Sequence, residues 1–75
     1  MSVLEQIKQE KIELDEKISK LSAALDRIES DYSFRESISK FQQNCLRRQE
    51  MVMKEYSAIL KYRIEDILKD ELTEE

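Results

Sequence analysis

The sequence predicts an all-α protein: two long antiparallel helices joined by a short turn or short helix, assembled as a helical-bundle homo-oligomer. Three observations predict it. Glycine and proline are both absent from the 75 residues, and 40% of the residues are charged, a composition of long, uninterrupted helices. Leu and Ile recur three and four positions apart through the first third of the chain. The helix-start pattern S-x-x-E/Q occurs at Ser2-Val3-Leu4-Glu5, Ser33-Phe34-Arg35-Glu36 and Ser39-Lys40-Phe41-Gln42. In each, the Ser oxygen can accept an orphan backbone N–H while the acid or amide reaches back.

The first of these boxes opens a helix over about residues 3–29. Its seam is Leu4, Ile7, Lys11, Leu14, Ile18, Leu21, Leu25 and Ile28, an a/d heptad with one polar interruption. A polar residue at one seam position sets register, which is the role assigned to Lys11 in preference to ligand binding. Ile12 lies off the seam and points to a second contact surface. A break follows at Ser30-Asp31-Tyr32, then a short turn at 34–38 opened by the Ser33 box. The Ser39 box opens the last helix, over about residues 40–72. At 1.5 Å per residue the two long helices run roughly 40–50 Å. Residues 1–75 thus form a single helical-hairpin domain. Its acidic end, 70–75, is unfavourable at a helix C-terminus and is expected to fray.

The last helix carries more apolar surface than one partner covers. Phe41, Cys45, Leu46, Val52, Met53, Tyr56, Ile59, Leu60, Ile64 and Ile67 fill an arc of roughly 140°. The first helix, folded back, covers part of it, and other protomers should cover the rest. Size points the same way. A chain this short is marginal alone and needs a disulfide, a metal or oligomerisation. With a single cysteine, Cys45, and no histidine, an intrachain disulfide and a convincing zinc site are both ruled out. Oligomerisation is left.

Composition also narrows function. Without histidine or a Gly-rich phosphate loop, catalysis is not expected, and no cofactor is. Cys45, on the apolar face with no base beside it, reads as an inert core residue. No apolar run nears the ~20 residues that span a bilayer, and no secretory leader is evident, so a reduced, cytoplasmic setting is expected. The net charge of −4 disfavours duplex nucleic acid. Charge is unevenly spread, however: residues 40–63 hold six basic and two acidic residues, and residues 64–75 six acidic and one basic. A local basic stretch can hold a small anion.

Two series recur every seventh residue in the last helix. Lys40, Arg47, Lys54 and Lys61 form one stripe, which drifts only ~20° per heptad. Read conservatively, they pair with Glu10, Asp15 or Glu29 across the helices; read for function, they line an anion cradle shared between protomers. Gln42, Gln49 and Arg63 fall inside the apolar arc, where each needs hydrogen-bond partners. They are either a register device or, for Arg63 with Tyr56 one heptad earlier, a site at a subunit junction. A guanidinium fork suits phosphate, and an aromatic ring stacks on a base.

The segments QEKIELDEKISKL (9–21) and QEMVMKEYSAILKYRI (49–64), with Phe34 between them, resemble a family of small all-helical tailed-phage proteins that includes the anti-CBASS cyclic-oligonucleotide sponges. Gln49, Met53, Tyr56, Leu60, Arg63 and Ile64 carry the better part of the likeness. The resemblance implies two antiparallel helices per protomer and a compact homo-oligomer, a hexamer in the known sponges. It also implies non-catalytic capture of cyclic di- or trinucleotide immune signals in pockets between protomers, antagonising antiviral defence in an infected bacterial host. Lys17 and Lys20 sit where the family tends to have basic residues. Val3 and Gln6 stand where it often has Tyr and Arg. The ligand-binding candidates are therefore Lys17, Lys20, Arg47, Lys54, Tyr56 and Arg63. The alternative is a structural or adaptor coiled-coil hairpin that binds another helical protein.

Overall fold

The computed structural model describes residues 2–73. Three helices follow in chain order: α1 (Val3–Ser30), α2 (Tyr32–Glu36) and α3 (Lys40–Thr73). Among the described residues there is no strand. α1 and α3 pack against each other along their length and give a rod of 59 × 17 × 17 Å. The expected two-helix architecture is what folds, with the long helices bounded within a residue of expectation. Of the end expected to fray, Asp70–Thr73 continue α3, and Glu74 and Glu75 lie outside the described residues.

Two of the three capping boxes cap. The Ser2 hydroxyl accepts the Glu5 N–H at 3.1 Å, and the Ser39 hydroxyl accepts the Gln42 N–H at 3.1 Å. The Ser33 box does not. The N-cap of α2 is Asp31, in extended conformation, whose carboxylate accepts the Phe34 N–H at 3.0 Å. That places the short helix at 32–36 rather than 34–38. Asp and Ser are equally good caps, and Asp31 stands where α1 has already ended.

The turn is held by side chains. The Arg27 guanidinium lies 4.0 Å over the Phe34 ring, a cation–π contact. Arg35 donates to the carbonyls of Ile28 and Glu29. Gln43, buried, donates to the carbonyls of Arg35 and Ile38 at 3.1 and 2.9 Å. It thereby gives the Ile38 carbonyl a partner and adds a second donor to the Arg35 carbonyl, which already accepts the Ile38 N–H.

The α1 seam faces α3 as its spacing requires. Ile7, Leu14, Leu25 and Ile28 are buried, and Leu4, Lys11, Ile18 and Leu21 half-buried. Lys11 reaches out of the seam to Asp15 at 2.7 Å. The matching seam of α3 is Gln43, Leu46, Glu50, Met53, Ser57, Leu60, Ile64 and Ile67, all buried or half-buried. It too alternates three and four, the a/d pattern of a coiled coil. Leu60, 0% exposed, packs with Ile7 and Leu14 at the centre, flanked by Ile18, Met53, Ile64 and Ile67.

Three polar residues sit in that seam, and two of them fix its register. Ser57 donates to Asp15 and Ser22 donates to Glu50, each at 2.5 Å. Both pairs lie across the interface at one antiparallel alignment, so a heptad slip would break both. The inward face is thus rotated away from the centre of the apolar arc. Phe41, Cys45, Val52, Tyr56 and Ile59 are left exposed on the chain. Cys45 is accordingly no core residue of the hairpin.

Candidate functional site

With the α3 seam placed, the two seven-spaced series acquire positions. Taking Gln43, Glu50, Ser57 and Ile64 as a, the basic residues Arg47, Lys54 and Lys61 occupy e. Gln42, Gln49, Tyr56 and Arg63 occupy g. These positions flank a coiled-coil seam on opposite sides. Gln42, Gln49 and Arg63 are therefore exposed edge residues, not buried members of the arc. In α1, numbered likewise from Leu4, Lys8, Asp15 and Ser22 are e, and Glu10 and Lys17 are g. In an antiparallel pair e faces e and g faces g.

On the g edge, Tyr56 donates its hydroxyl to the Glu10 carboxylate. That hydrogen bond to a carboxylate pushes the phenol pKa above its ordinary value; desolvation and the Glu10 charge add to the rise, and the Arg63 charge opposes it. Gln49 contributes an amide contact to the Met53 sulfur at 3.8 Å. Lys17 and Arg63 share this edge and stay exposed. The edge offers an aromatic ring, a guanidinium and an ammonium along one side of the rod.

The e edge carries the basic row. Lys54 pairs at 3.7 Å with Glu50 one turn earlier on its own helix, rather than with Glu10, Asp15 or Glu29 across the pair. Asp15 is taken by Lys11 and Ser57, whose hydrogen bonds lower its carboxyl pKa against a smaller opposing effect of burial. Arg47 is exposed further along the edge. Nearer the other end Lys8, Lys11 and Lys61 surround an open groove floored by Ile12 and Ile64, with Asp15 and Glu65 at its rim. Lys61 belongs to the basic row that the sequence reads as an anion cradle, though not to the six candidates, and Lys8 to neither. Both sit at e positions, so their convergence becomes visible only once helix register is known. Lys20 belongs to neither edge; it lies on the outer side of α1 beside Ile12, Glu16 and Ser19.

The six candidates thus fall in three places: Arg47 and Lys54 on the e edge, Lys17, Tyr56 and Arg63 on the g edge, and Lys20 on the outer face of α1. No single protomer brings them together. Among the described residues no cluster of three metal-ligating side chains occurs, and no helix is long and apolar enough to cross a membrane. Comparison with curated proteins and with solved structures returns no significant match. A family model described as Sequestin matches residues 1–66, which takes in α1, α2 and most of α3 with both edges, and the chain belongs to the Sequestin family.

Proposed function

We propose that the protein is a non-catalytic, phage-type binding protein that sequesters cyclic di- or trinucleotide immune signals between protomers of a homo-oligomer. In the cytoplasm of an infected bacterial host this withholds the signal from the defence effector. The family's name, Sequestin, is that of a sequestering function, and the resemblance in 9–21 and 49–64 supplies the nucleotide class. The observation that carries the reading is the division of charge between two edges. A cyclic oligonucleotide presents phosphates and base faces at once, which call for cations and aromatic stacking together. Arg47 and Lys54 supply the first on one edge; Tyr56 and Arg63 supply both on the other. Only the edge of a second protomer can close such a site.

The testing experiment is native mass spectrometry of the purified protein, alone and with a panel of cyclic di- and trinucleotides. A discrete oligomer that gains a fixed number of nucleotides is expected. An oligomer that takes up none would sink the nucleotide reading and favour the adaptor hairpin, whose support is the exposed apolar strip of α3. A Lys54→Glu or Arg63→Glu protein should lose capture while keeping its helical content.

A further inference from the structure

The face of α3 turned away from α1 has a second heptad seam. Phe41, Arg48, Glu55 and Tyr62 fall at f, and Cys45, Val52, Ile59 and Asp66 at c, again alternating three and four. All are exposed, Phe41 at 73%, Val52 at 68% and Tyr62 at 64%. A helix with two such stripes has one more neighbour than the hairpin provides. Arg48 and Asp66 lie on the second stripe, and among the described residues neither takes part in an ion pair or a side-chain hydrogen bond.

Charge identifies the neighbour. The first two thirds of α3 are basic and its end acidic: residues 40–63 carry six basic and two acidic groups, residues 64–73 one basic and four acidic. A parallel copy would set like charge against like. An antiparallel copy sets the basic part of each helix against the acidic end of the other. We propose that α3 packs antiparallel on α3 of a second copy through this stripe, with Arg48 of each opposite Asp66 of the other. This rests on the reading that protomers assemble, and is independent of what they bind.

The register follows from the c and f positions, which face one another in an antiparallel pair. With Arg48 opposite Asp66, Val52 meets Tyr62, Glu55 meets Ile59, and the two-fold axis passes between Glu55 and Ile59, at the level of residue 57. The helices then overlap along their full length. One heptad away, Arg48 would face Ile59, Asp66 would face Phe41 and Glu55 would face Val52, three charges on apolar surface against the single Glu55–Ile59 mismatch of the proposed register. A two-fold contact is self-complementary, so each favourable pair occurs twice. It also leaves the e edges outward, free for junctions with further copies.

Cys45, exposed and the chain's single cysteine, reports this geometry directly. In the proposed register it lies opposite position 69 of the other copy, so the two Cys45 residues are roughly 35–40 Å apart. A heptad shift gives about 27 Å, and a parallel pair about 10 Å. Pulsed electron paramagnetic resonance on protein spin-labelled at Cys45 measures the separation; sedimentation of unlabelled protein measures assembly. A main distance near the first value is expected. Arg48→Glu and Asp66→Arg should each weaken association about tenfold, and the double variant should restore it. A short distance, or a double variant no better than the singles, would overturn the interface while an intact wild-type oligomer left the assembly reading standing. A wild type that sediments as a monomer would overturn both and leave a foreign helix as the occupant of the stripe.

Discussion

The Tyr56 hydroxyl of α3 donates to the Glu10 carboxylate of α1, tying the two helices at the edge where the aromatic candidate stands. Arg63 stands one heptad further along the same edge, and its charge opposes the rise in the phenol pKa. Structure and capture can be separated here. Tyr56→Phe keeps the ring and loses the hydrogen bond; its melting temperature should fall slightly and nucleotide capture should change by only a few-fold. Tyr56→Ala removes the stacking surface and should weaken capture about tenfold or more. Isothermal titration on both variants checks this, and equal losses would remove stacking from the account.

The two apolar stripes of α3 should differ in what they stabilise. Leu60, 0% exposed between Ile7 and Leu14, belongs to the hairpin. Leu60→Ala should cost about 2–4 kcal/mol at any protein concentration, since a hairpin this thin has little matter to close the cavity. Val52 is exposed on the chain. Val52→Ala should leave the dilute protein within about 0.5 kcal/mol of wild type and lower stability only where copies associate. Urea unfolding at two concentrations distinguishes them.

Much of the fold is legible in the sequence, and its limits have physical causes. The α1 seam is strict, and Ser2 and Ser39 cap locally, so pattern alone places the two helices. The facing seam of α3 is not legible, because it contains Gln43, Glu50 and Ser57. These polar residues are admissible inside only because Ser22, Asp15 and the turn carbonyls answer them. The partners of Glu50 and Ser57 lie 28 and 42 residues away in sequence and those of Gln43 outside its helix in the turn, whereas an apolar arc is read within one helix. The arc's centre therefore falls between two real stripes, and Arg63 and Gln49 pass for buried residues when they are edge residues. The candidate site shares the fault. Its residues were recognised by type, but their division between edges depends on which stripe faces α1.

Acid and alkaline limits of stability follow from three groups. Asp15 is held below its ordinary pKa by Lys11 and Ser57, and Asp31 by the Phe34 N–H it caps and by Arg27. A lowered carboxyl pKa gives stability that is full above the unfolded value of about 3.9 and lost as pH falls through the folded value. Tyr56 is raised by Glu10, so its contribution is full below about pH 10 and lost as pH rises through the folded value. Asp31→Asn keeps a capping acceptor and should narrow the gap to wild type as pH drops below 4. Tyr56→Phe should do the same above pH 10. Asp15 and Tyr56 are exposed and Asp31 half-buried, so salt should shrink both effects. Circular dichroism melts across pH at low and high salt measure them.

The sharpest consequence of divided edges is complementation. If a capture site joins the e edge of one protomer to the g edge of another, Lys54→Glu and Arg63→Glu each spoil every site in their own oligomer. They spoil different halves, however. A Lys54→Glu subunit keeps its g edge, and an Arg63→Glu subunit keeps its e edge. Subunits unfolded together and refolded at equal ratio should therefore regenerate intact sites at about a quarter of the junctions. Capture by the mixture, measured by filtration of labelled cyclic nucleotide, should rise well above either parent. A mixture that binds no more than the mean of its parents would mean that Lys54 and Arg63 do not act across a junction, and that whatever site exists lies on one edge.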